Sequence, residues 1–132
     1  MNVMYPEKLE VNDRWFNLIE QGVKKVEGRK ASTKWNGIVP GTMVTIVRKT
    51  DGYTIYRMVN EVRFYRHQDL PQLWSVKDRG VIGYKLLKHF LTQEGIDRVL
   101  PGVGSMEEAV NVYFEFWSSI DIYTDNLMAI EF

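Results

Sequence analysis

Apolar and polar positions first settle into a helical rhythm near residue 12. Trp15, Leu18 and Ile19 recur at i, i+3 and i+4, one apolar face of a short helix. Asn12 or Asp13 supplies an N-cap acceptor, and Gly22 offers a left-handed stop. Residues 23–29 then read as extended. The β-branched run at 42–48 reads as a strand, and Asp51-Gly52 is a hairpin turn signal. A long strand is predicted over 53–65. Its alternation is imperfect, with Val59 on one face and Val62 on the other, and a bulge or bend near Asn60-Glu61 reconciles the two. The middle reads as helical, with a short helix over 69–75 and a longer one over 81–94 that stops near Gly95. Ser105-Met106-Glu107-Glu108 matches a capping box and opens an apolar helix through Ala109, Val110, Tyr113, Phe114 and Trp117. Residues 127–132 read as a closing strand. Strands around a run of helices predict an α+β fold, with the segments near 42–48, 53–65 and 127–132 in a curled, mainly antiparallel sheet and the 105–117 helix packed against it.

The chain of 132 residues fits a single domain over 1–132, and 45% hydrophobic with 26% charged residues is the balance of a globular protein. There are no cysteines, which excludes disulfides and thiolate metal sites. The two histidines, His67 and His89, have no zinc-like spacing, so no metal and no cofactor is expected. The first residues carry no apolar signal-peptide core and no stretch is apolar enough to span a bilayer, so no membrane association is expected. The expected location is the cytoplasm, or the nucleus where there is one.

The formal net charge is +0, so the total implies no polyanion partner. The distribution changes that picture. Lys24, Lys25, Arg29, Lys30 and Lys34 cluster with Glu27 as the only acid among them, whereas no Lys or Arg follows Arg98. A local basic patch decides what a cleft attracts even on a neutral molecule.

The segment Trp15-Phe16-Asn17-Leu18-Ile19-Glu20-Gln21-Gly22-Val23-Lys24-Lys25-Val26-Glu27-Gly28-Arg29 resembles the signature of the ASCH domain family, a helix followed by G-x-K-x-x-E-x-R. Trp35, the Val39-Pro40-Gly41-Thr42 turn, Val62-Arg63-Phe64-Tyr65, Val99-Leu100-Pro101-Gly102, the Ser105-x-x-Glu108 helix with Tyr113, and Met128-Ala129-Ile130-Glu131 are similar to that family in the same order. The resemblance runs from about Leu9 to the C-terminus. It implies a small PUA-like curled β-barrel of mainly antiparallel strands flanked by helices, with a cleft lined by the signature residues. It also implies RNA or nucleotide recognition, and for some members hydrolysis of nucleosides or RNA. Members that hydrolyse acetylated cytidine carry Thr after the signature lysine and an acid ahead of the last long helix. Here those positions read Lys25, Glu27 and Pro101-Gly102-Val103-Gly104.

The candidate ligand-binding residues are Lys24, Lys25, Glu27, Arg29, Trp35, Arg63 and Tyr65. Arg29 presents a planar fork suited to phosphate or a base edge. Lys24 is a point charge, and Glu27 accepts from a base amino group or orients Arg29. Trp35 and Tyr65 offer flat faces for unpaired bases. Strict alternation puts Glu27 and Arg29 on one face and Lys24 on the other, so they converge only if residues 22–24 are still in a turn or the strand is bulged. Three function classes follow. The first is binding of single-stranded RNA or a nucleotide. The second is a small metal-independent hydrolase with Lys24 and Glu27 as its acid/base pair. The third is a protein-interaction domain, given 4 Trp and 7 Tyr.

Overall fold

The β-branched run forms β3 (Met43–Arg48), the middle strand of the first of two sheets. On one side the Asp51-Gly52 turn returns the chain as β4 (Thr54–Met58), antiparallel to β3. On the other lies β1 (Met4–Val11), parallel to β3. Only one face of this sheet is apolar enough to bury: Leu9, Val11, Val44, Ile46 and Ile55 point into the core. The computed structural model describes residues 3–132.

The second sheet has β6 (Leu127–Glu131) between β2 (Val26–Lys30) and β5 (Glu61–Tyr65), both antiparallel to it. β6 is buried along almost its whole length, so its sequence is a continuous apolar run rather than an alternating one. The helices α1 (Asp13–Glu20), α2 (Arg79–Glu94), α3 (Ile96–Val99), α4 (Met106–Phe114) and α5 (Ser119–Asp125) complete the α+β fold. Leu86, Leu87, Phe90 and Leu91 of α2 join Trp15, Phe16 and Ile19 of α1 and the inner faces of the strands in one core. No helix among the described residues is long and apolar enough to cross a membrane.

Several expectations are corrected. The curled barrel does not close; the described strands sort into two three-stranded sheets. The predicted long strand over 53–65 is two strands in different sheets. The amide of Val59 donates to Thr42 O, just ahead of β3 in the first sheet (2.8 Å), and the next amide, Asn60, donates to Glu131 O of the second (2.7 Å). The imperfect alternation marked a change of sheet, not a bulge within one. β1 was not predicted, because Met4-Tyr5-Pro6-Glu7-Lys8 is polar and proline-broken; its register against β3 shifts between Met4 and Lys8, as a proline without an amide donor favours. The 69–75 segment forms 3-10 turns at His67–Asp69 and Pro71–Leu73. The helix from Ser105 stops at Phe114, and α5 starts separately, with Ser118 and Asp121 making the reciprocal capping box. At Ser105 only half of that box forms: its hydroxyl accepts from Glu108 N (3.2 Å), while the Glu108 carboxylate accepts from Gly104 N (3.4 Å). Neither Asn12 nor Asp13 caps α1 through its side chain.

An ion network fastens the second sheet to the helices. Arg63 grips Glu94, which is 2% exposed, through Nε (2.8 Å) and Nη2 (2.7 Å). Tyr65 also donates to Glu94, and Glu131 takes Arg63 (2.6 Å) and Arg98 (2.5 Å). Burial alone would raise the Glu94 pKa, but the hydrogen bonds from Arg63 and Tyr65 outweigh it and hold the carboxyl below its ordinary value. A depressed folded pKa contributes stability above the unfolded pKa, about 4.3, that is lost as the pH falls through the folded value. The stability gap between wild type and Glu94→Gln, measured by urea denaturation, is therefore expected to be several kcal/mol at neutral pH, on the order of 3–5 for a broken buried pair, and to shrink at pH 3. A gap independent of pH would contradict an ionised Glu94.

Candidate functional site

The signature segment builds its site by leaving helical and strand geometry between Gly22 and Lys25. Gly22 has φ +76°, a conformation costly for other residues. The amides of Val23 (2.9 Å) and Lys24 (3.0 Å) both donate to Leu18 O, closing the end of α1. Lys24 is thus still in the turn when β2 begins at Val26, and it converges with Glu27 and Arg29.

The Lys24 ammonium is buried, with the residue 2% exposed. It donates to Val26 O (2.5 Å) and to Val99 O, and Glu27 Oε1 lies 3.4 Å away. The ammonium thus donates to two backbone carbonyls and is balanced by the Glu27 carboxylate. Burial lowers the Lys24 pKa, with Glu27 acting against that shift. The other Glu27 oxygen takes Arg29 Nη2 at 2.8 Å, and the same nitrogen donates to Glu10 O at 2.8 Å. Burial pushes the Glu27 pKa up, but the Arg29 and Lys24 charges prevail and leave it below the ordinary value. The chain of two cations and one carboxylate carries a net positive charge. Among the described residues Nε and Nη1 of Arg29 have no protein partner.

This chain of charges floors a chamber of about 120 Å³, walled by Trp15, Leu100, Val112, Tyr113, Phe116 and Trp117. Its volume is well under the roughly 300–1,000 Å³ of a drug-sized pocket, which limits the occupant to about one ring system. Gly28 is required beside it: a Cβ there would lie 2.6 Å from the Tyr113 hydroxyl and 2.8 Å from Phe90 Cζ. Burial holds the Tyr113 phenol well above its ordinary pKa, so it remains a neutral hydrogen-bonding group. The chamber adjoins a trough of about 580 Å³ lined by Pro6, Glu7, Lys8, Glu10, Asn12, Arg29, Lys34, Lys49 and Phe116. Glu10, Asn12, Arg29 and Phe116 line both. Lys34 faces Glu7 loosely at 3.9 Å, while Lys8 and Lys49 have no ion-pair partner among the described residues.

Of the residues singled out in the sequence, Lys24, Glu27 and Arg29 meet in the chamber. Lys25 does not; its backbone joins Arg98 O and Phe132 N, and its side chain is exposed. Trp35 is buried at 4% exposure, stacked on Tyr5 with ring centroids 5.8 Å apart and with the Arg29 guanidinium 5.9 Å from its ring. It supports Arg29 from below. Arg63 and Tyr65 belong to the Glu94 network and line neither chamber nor trough. Burial and the Glu94 contact push the Tyr65 hydroxyl up to about 12. Sequence reasoning missed Glu10, Asn12, Lys8, Lys49 and Phe116, which carry no motif. It placed Trp15 and Tyr113 in the family resemblance and on apolar helix faces, and Trp117 on an apolar helix face, but assigned none of them to the site. Among the described residues no three His, Asp or Glu side chains come together to hold a metal.

The geometry makes Lys24 a structural tie. Lys24→Met strands Val26 O, Val99 O and one Glu27 oxygen, and is expected to cost about 3–5 kcal/mol in urea denaturation, more than Arg29→Ala at the cleft mouth. Wild-type stability for Lys24→Met would refute this role.

The ASCH domain family model matches residues 9–118. The crystal structure of the hypothetical protein PH0355 is similar across 99% of this chain and 96% of that one, at 27% identity and a TM-score of 0.71. The solution structure of protein PF0455 from Pyrococcus furiosus aligns over 99% of this chain and 94% of its own, at 24% identity and a TM-score of 0.63, a likeness of fold. No curated protein matches. With the family model spanning most of the sequence and Lys24, Glu27 and Arg29 of the signature gathered around one chamber, this chain belongs to the ASCH domain family.

Proposed function

We propose that the chain binds single-stranded RNA or a nucleotide, with one base in the chamber and the phosphate in the trough. The observation that carries this reading is the continuity of the two: an aromatic-walled chamber opens past Arg29 and Phe116 onto a trough with unpaired lysines. Phe116 is 50% exposed at that junction, where a base can stack on it. Arg29, anchored through Nη2, has Nε and Nη1 left to donate to a base edge or a phosphate oxygen. Lys8 and Lys49 add charge for the backbone.

The hydrolase alternative asks Lys24 or Glu27 to exchange a proton with a ligand. The ammonium already donates to two carbonyls and pairs with Glu27, and each Glu27 oxygen already faces a cation. The arrangement favours binding over acid/base chemistry at this pair.

The test is titration of labelled single-stranded RNA at two salt concentrations. Arg29→Ala and Phe116→Ala are expected to weaken binding about tenfold or more, the size of one lost stack or charge-assisted contact. Lys8→Ala and Lys49→Ala are each expected to reduce the slope of log K against log salt by about 0.7, as one lost phosphate contact on a single strand requires. Wild-type affinity in both Arg29→Ala and Phe116→Ala would rule the cleft out.

A further inference from the structure

The face of the β1–β3–β4 sheet turned away from the core carries a second feature. Register places its side chains in rows: Met4, Met43 and Met58; then Lys8, Thr45 and Tyr56; then Glu10, Val47 and Thr54. Contact between Thr45 Oγ1 and Met4 Sδ at 3.4 Å agrees with this. The face mixes Met4, Met43, Met58, Val47 and Tyr56 with Lys8, Glu10, Thr45 and Thr54, and Met4, Tyr56 and Met58 are 47%, 53% and 43% exposed.

Tyr56 stands apart from the other tyrosines. Of the seven in the chain, Tyr5, Tyr53, Tyr65, Tyr84, Tyr113 and Tyr123 each have an aromatic ring as neighbour. Tyr56 has no aromatic or cationic partner among the described residues. It shares its row with Lys8, which lines the trough. Two strand spacings, roughly 10 Å, separate them. That is the reach of about three stacked nucleotide steps of roughly 3.4 Å.

We infer that this sheet face continues the path of a single-stranded polynucleotide out of the trough, with Tyr56 stacking a base beyond the one held in the chamber. The inference rests on the cleft reading above and narrows it, since the ligand becomes a strand rather than a free nucleotide. Continuity through Lys8 and the basic trough select a polyanion as the occupant. Glu10 is the one acid in these three rows, in the row away from the methionines, and Glu7 of the trough faces Lys34.

Fluorescence titration with uridylates of one, three and six nucleotides tests it, using the whole chain. Affinity is expected to rise at least tenfold from the mononucleotide to the hexanucleotide. Tyr56→Ala is expected to lower hexanucleotide affinity about tenfold, one lost base stack, and to leave mononucleotide affinity unchanged. Tyr56→Phe should keep the wild-type value, as should Tyr84→Ala, which removes an exposed aromatic on α2. Equal affinity for mononucleotide and hexanucleotide would overturn the inference while leaving the cleft reading intact. So would an equal effect of Tyr56→Ala on both. A wild-type dimer that Tyr56→Ala converts to monomer, with hexanucleotide affinity unchanged, would overturn it in favour of self-association. Failure of every length to bind folded protein would remove both readings.

Discussion

The buried ammonium of Lys24 is the interaction on which the site is built. An ammonium out of water is tolerable only when its protons are engaged and its charge is balanced. Its acceptors come from different parts of the chain: Val26 O at the head of β2, Val99 O at the end of α3, and the Glu27 carboxylate. One charge therefore fixes where the turn after α1, the second sheet and α3 meet. Glu27 passes the constraint to Arg29, and Arg29 carries it to Glu10 O on β1, in the other sheet. The cleft lies where the two sheets are tied together, and its floor cannot shift without breaking that chain.

The molecule uses its charges in two ways. Around Glu94 and Glu131, arginines and carboxylates satisfy one another and join β5 and β6 to α2 and α3. Along the trough, Lys8 and Lys49 have no such partners among the described residues, and Arg29 keeps part of its guanidinium free. A formal net charge of +0 conceals this difference. In the proposed cleft a ligand would meet the local field of unpaired cations beside low-dielectric aromatic walls, where electrostatic contacts count for more than in bulk water.

Aromatic residues divide in a similar way. Trp35 and Tyr65 are drawn into packing, against Tyr5 in one case and Phe90 in the other. Phe116 lies in the turn between α4 and α5, and Tyr56 on the bare sheet face. Both are half exposed and offer a ring face to an incoming group. Their exposure follows from where two helices separate and where no helix covers a sheet, features of the assembled chain rather than of either residue's neighbours.

Local signals determined the elements whose stabilisation is local. Period-3.6 apolar spacing gave α1, β-branched residues and Asp51-Gly52 gave the β3–β4 hairpin, and the ordered signature residues gave the family and the Lys24–Glu27–Arg29 group. The convergence of those three was legible as a condition on the turn at Gly22, because strand alternation forbids it otherwise. Tertiary structure alone decided the rest. β1 is held by its parallel pairing with β3 despite a polar, proline-broken sequence, and the strand at 53–65 divides because successive amides find partners in different sheets. The same applies to Arg63, Tyr65 and Trp35, and to Lys8, Lys49 and Phe116. Whether a charge is neutralised or a ring is covered depends on residues tens of positions away, and no spacing along the chain encodes that distance.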